Sequence, residues 1–80
     1  MSGLTEQDQQ ILAIERRKWR PGAKEHAIAD LLGIPETRYY QLLNELIDRP
    51  EALAAEPGLV NRLRIQRARR QAVRSPRPAT

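Results

Sequence analysis

The twenty residues from Glu25 to Asn44, EHAIADLLGIPETRYYQLLN, constrain the fold of this chain more than any other stretch. Ala27, Ile28, Leu31 and Leu32 recur at three- and four-residue spacing, which predicts one apolar helix face. Gly33 follows the last of them, where a left-handed backbone ends a helix at least cost. Pro35 then suits the first turn of another helix, which has no use for the missing amide. The next stripe, Tyr39, Leu42, Leu43, Leu46 and Ile47, leaves Thr37, Gln41, Asn44 and Asp48 on the opposite side at about 100° per residue. Two short helices about a tight turn form a helix-turn-helix unit, a layout that commonly reads DNA.

The unit's internal pattern agrees. Ala29 is the small fifth residue expected where the two helices cross closely, Gly33 is the ninth, and Leu32, Ile34 and Leu42 fill the eighth, tenth and eighteenth places. The fifteenth place, usually branched aliphatic, holds Tyr39, a departure that a roomier core accommodates. A second helix of this kind lies in the major groove and meets bases with its N-terminal half. Gln41 and Asn44 carry amides able to pair bidentately with adenine, and Thr37 can touch a thymine methyl. Arg38 and Tyr40 flank them, within reach of guanine or phosphate.

Charge argues the other way. Within the unit Arg38 alone stands against Glu25, Asp30 and Glu36, so it cannot supply the phosphate neutralisation on which DNA affinity chiefly depends. The whole chain is +4, yet residues 1–56 carry seven basic and ten acidic side chains, and residues 57–80 carry seven Arg and no acid. The expected phosphate contacts are therefore Arg16, Arg17, Lys18, Lys24 and Tyr40 on one side and Arg62, Arg64, Arg67, Arg69, Arg70 and Arg74 on the other. About five such contacts imply a log–log salt slope of roughly −4 to −5.

Around the unit, Thr5 and Asp8 are spaced as a capping box for a first helix with Ile11, Leu12 and Ile14 on its apolar face, stopped by Pro21-Gly22. Trp19 suits a contact that caps the small core better than a stack on a base. A short helix from Pro50 to Ala55 precedes a last one from Pro57 to about Arg74. There the stripe Leu59, Val60, Leu63 continues as Arg67, Arg70, Arg74, so the distal half cannot pack as the proximal half does. The expectation is an all-α fold: a small helix-turn-helix bundle of four to five helices with a basic C-terminal helix projecting from the body. Its parts are a disordered start (1–3), a helix-turn-helix domain (4–63, the unit at 25–44), a basic helical extension (64–74) and a disordered, proline-rich tail (75–80).

Eighty residues without Phe hold one small aliphatic core worth only about 3–5 kcal/mol, which disfavours a deep pocket and a small-molecule substrate. With no Cys and a single histidine, His26, neither a disulfide nor a metal site is expected, and no cofactor. No catalytic constellation is visible, so the chain is not expected to be an enzyme. MSGLTEQDQQ does not read as a signal peptide and no run is long enough to cross a membrane, which suggests a cytoplasmic, nucleoid-associated protein.

The segments LTEQDQQIL, GAKEHAIADLLGIPETRYYQLLNELIDRPEALAAEP and LVNRLR resemble a family of short actinobacterial proteins catalogued as a domain of unknown function. The likeness covers roughly residues 4–70 and is most specific from Thr37 to Ala54. It implies a helix-turn-helix-like fold and carries no established activity. A weaker similarity, in the helix that precedes the unit, is to the C-terminal DNA-reading module of bacterial sigma factors. Together these readings point to a small transcriptional regulator that binds double-stranded DNA through Thr37, Arg38, Gln41 and Asn44. A single reading helix covers few base pairs, so a homodimer or a partner from the transcription machinery is expected with it. The alternative is a protein-interaction module that docks through the Tyr40 face, without sequence-specific DNA binding.

Overall fold

The computed structural model describes residues 3–74, with side chains through Ala72, and contains five helices among them. They are α1 (Glu6–Arg16), α2 (Ala23–Leu32), α3 (Glu36–Ile47), α4 (Pro50–Ala55) and α5 (Pro57–Arg74). The molecule is a small all-α bundle. The expected disorder at 1–2 and 75–80 lies outside the described residues.

Local chemistry sets the helix ends. The Thr5 hydroxyl accepts from the Asp8 amide and the Asp8 carboxylate accepts from the Thr5 amide, each at 3.0 Å, so the predicted capping box opens α1. Trp19 folds back to donate its indole N–H to the Ile14 carbonyl at 2.8 Å, a second donor beside the Arg17 amide that caps α1 at 3.3 Å. Gly33 closes α2 at φ 66°, the left-handed value for which glycine was singled out. Pro35 stands one place earlier than expected: it is the extended N-cap of α3, and the helix proper begins at Glu36.

The core gathers Ile11, Leu12 and Ile14 from α1, Ile28 from α2, Tyr39, Leu43, Leu46 and Ile47 from α3, Ala52 from α4, and Val60 and Leu63 from α5. α2 contributes less than its periodicity promised. Ile28 is buried, but Leu31 is 56% exposed, and Ala29, expected at a close crossing, is exposed too. A ten-residue helix facing so small a core turns inward over little more than one residue's width.

Two arginines hold the bundle together from outside the core. Arg49, between α3 and α4, bonds the Asp8 carboxylate and the Gly3 carbonyl, both at 2.9 Å, and so ties Gly3 to the body. Arg64 donates to the Ile47 carbonyl at 2.6 Å, putting a cation at the negative end of α3. The body's hold on α5 therefore continues past Leu63. Beyond Arg67 every described side chain of α5, from Ala68 to Ala72, is exposed, and this half of the helix projects.

Candidate nucleic-acid interface

Thr37, Arg38, Gln41 and Asn44 are all exposed on α3, because the buried stripe of Tyr39, Leu43, Leu46 and Ile47 turns them outward. Arg38 approaches the side-chain amide oxygen of Gln41 at 3.4 Å, a long contact that leaves the amide free to turn toward another partner. The face offers two amides, a hydroxyl and one guanidinium, a set able to exchange hydrogen bonds with base edges.

α5 stands directly beside this face. Arg67 makes a two-pronged contact with the Asp48 carboxylate at 2.8 and 3.1 Å and donates to the carbonyl of Asn44 at 3.3 Å. The guanidinium holds the Asp48 carboxyl below the usual carboxylate range, and the carboxylate in turn holds Arg67 above its own. Thus clamped, α5 and α3 line one groove, with Thr37, Tyr40, Gln41 and Asn44 along one side and Gln66, Arg67, Arg70 and Gln71 along the other. A second concavity, lined by Arg17, Lys18, Trp19 and Arg62, shares Glu15, Lys24, Leu63 and Gln66 with the first. The two adjoin along these residues, and together are called the trough.

The expected phosphate-contacting residues divide into two groups. Four are spent within the fold: Arg16 on Glu56 at 2.8 Å, Lys24 on Glu15 at 2.7 Å, Arg64 on the Ile47 carbonyl and Arg67 on Asp48. For Arg64 and Arg67 the cause is position. They follow Leu63 on the inward side of α5, where the C-terminal carbonyls and Asp48 of α3 await a cation. Lys18, Arg62, Arg69 and Arg70 are exposed and form no ion pair among the described residues, and Arg17 lies over the Trp19 ring at 4.4 Å. The side chain of Arg74 lies outside the described residues. Tyr40 is half-buried, edge-on to Tyr39 with ring centroids 5.1 Å apart and with the Lys24 ammonium 5.4 Å from its own ring.

One cluster escaped sequence reading. Tyr39 is fully buried and donates its hydroxyl to the carboxylate of Glu15, which also holds Lys24. Burial, followed by the Glu15 carboxylate, pushes the Tyr39 phenol far above its ordinary value. This explains a tyrosine at the place where the pattern prefers an aliphatic side chain: its hydroxyl has a built-in acceptor. The signal was available in Glu15, four residues after the buried Ile11, since a carboxylate on an apolar helix face calls for a partner. Among the described residues no three of His, Cys, Asp and Glu lie close enough together to hold a metal ion, and no helix is long and apolar enough to cross a membrane.

The chain belongs to the family described as Protein of unknown function (DUF3263), whose model matches residues 3–75. No curated protein and no solved structure matches it.

Proposed function

For this member of a family without an assigned function, we propose that the chain is a small DNA-binding protein acting as a transcriptional regulator. It binds and does not catalyse. Thr37, Arg38, Gln41 and Asn44 of α3 read bases, and the arginines that the fold leaves free grip phosphate. The observation that carries this reading is the juxtaposition of an exposed, amide-bearing helix face with an arginine-rich helix fixed beside it. The resemblance to the DNA-reading module of sigma factors and to short actinobacterial helix-turn-helix-like proteins supports it. A place in the cytoplasm, on the nucleoid, follows from the same reading.

The net negative body does not oppose this once its cations are sorted. Arg16, Lys24 and Arg49 neutralise acids of the body itself, so the free positive charge is concentrated on α5 and at the end of α1. Titrating labelled genomic and random DNA against the protein at two salt concentrations tests the proposal. Binding that weakens steeply with salt supports it, and absence of DNA binding at low salt removes it.

A second reading, a module that docks on a protein of the transcription machinery, draws on a different observation. Leu31 is 56% exposed on α2, next to the exposed Asp30 and near Glu25 in sequence, an apolar knob in an acidic setting. Leu31→Asp separates the two: it abolishes a protein contact made there and leaves DNA affinity within about twofold, because it touches no phosphate-binding residue.

A further inference from the structure

The trough between α3 and α5 is the wrong shape for the duplex that a lone helix-turn-helix reads. A helix with its side chains is about 10–12 Å across and the major groove of B-DNA about 12 Å wide, so that groove admits one helix. Asn44 cannot descend to base depth alone, because Arg67 of α5 bonds its own carbonyl at 3.3 Å. Whatever meets Asn44 in this groove has to fit between two helices.

We infer that the trough takes an unpaired polynucleotide strand, with phosphates along Arg62 and Arg70 of α5 and Arg17 and Lys18 just past α1, and bases turned toward the amides of α3. The inference rests on the nucleic-acid reading above and specifies its form. Single-strand sites combine a basic channel with aromatic faces on which bases stack; the trough has the cations and two half-buried rings, over which Arg17 and Lys24 stand and with which a base would share or exchange them. Tyr40 lines the α3–α5 part and Trp19 the neighbouring part, with Arg70 and the group of Arg17, Lys18 and Arg62 beside them. From Arg62 to Arg70 α5 advances about 12 Å, the length of three to four stacked nucleotides. Gln41 and Asn44 can bond the Watson–Crick edges that an unpaired base exposes, which a duplex hides.

The experiment is fluorescence anisotropy with the full chain and four probes of one sequence: a twelve-nucleotide DNA strand, the same strand as RNA, the DNA duplex, and a duplex with a single-stranded overhang. The expected result is a single strand or overhang bound at least about tenfold more tightly than the duplex, with the DNA and RNA arms showing which sugar is preferred. Arg70→Ala, inside the trough, is expected to weaken strand binding about fivefold or more, and Arg20→Ala, of equal charge but outside the trough lining, by about twofold or less. Both positions are exposed, and circular dichroism checks that helix content is unchanged. Duplex bound as tightly as the strand, or equal losses from the two substitutions, overturns the inference while leaving DNA binding intact. Binding to none of the four overturns the nucleic-acid reading as well.

Discussion

The body of the protein and the distal half of α5 handle positive charge in opposite ways. In the body, Arg16, Lys24 and Arg49 each meet a carboxylate, and the Lys24 partner is the half-buried Glu15. On the distal helix Arg69 and Arg70 form no ion pair among the described residues, while Arg64 and Arg67 belong to the body because they cap α3. An arginine of α5 is therefore structural or available according to which side of the helix it occupies, and sequence position along the arginine run does not decide it. The body fixes geometry; the distal helix supplies charge.

The sharpest way to break this division is through the core. Tyr39→Ala empties a fully buried site and leaves Glu15 without its hydroxyl partner, which costs about 3–5 kcal/mol and on a core this small unfolds the chain. Loss of the cooperative urea transition in far-ultraviolet circular dichroism checks this. Tyr39→Phe keeps the ring and removes the hydroxyl, so urea midpoints are expected to report about 1–2 kcal/mol.

The same pair predicts alkaline behaviour. The Tyr39 phenol is held above its unfolded value, so the native state keeps a proton that the unfolded chain gives up. Its contribution is complete below about pH 10 and is lost as pH rises beyond that. Stability of the wild type should fall there, and Tyr39→Phe should fall less. Alkaline unfolding curves of identical steepness would contradict the burial of that hydroxyl.

A smaller effect tests the seam between the regions. Arg67→Ala is expected to cost at most about 1 kcal/mol globally, because the Asp48 side chain is 59% exposed. It should nevertheless speed amide hydrogen exchange in α5 beyond Leu63 and lower DNA affinity by freeing the angle of the helix. The Asp48 carboxyl is held low by Arg67, so the pair contributes above about pH 4 and is lost as pH falls below that, and the variant should lack this acid dependence. Arg69→Ala with Arg70→Ala sits at the small end, with stability expected to change by less than about 0.5 kcal/mol.

The elements were legible because their punctuation was strong. Thr5 and Asp8, Gly33 and the prolines at 35, 50 and 57 mark helix ends by local chemistry alone, which tertiary contacts had no reason to override. The outward placement of Thr37, Arg38, Gln41 and Asn44 was legible for the same reason, since it follows from the α3 stripe. What periodicity could not show was how wide a face α2 buries, so Leu31 and Ala29 were placed inward. Nor could it show which arginines have partners. Arg16 meets Glu56 and Arg67 meets Asp48 across long sequence separations, and only the packing of helices decides such encounters.

The central claim is that the free arginines of α5 hold nucleic acid while α3 is too acidic to do so. The dependence of DNA affinity on salt measures it most directly, for the wild type and for the triple variant Arg62→Ala, Arg69→Ala, Arg70→Ala. The account predicts a wild-type log–log slope of roughly −4 to −5, flattened by roughly two to three in the variant, with urea stability unchanged. A variant that binds as tightly as the wild type, with the same slope, would contradict it.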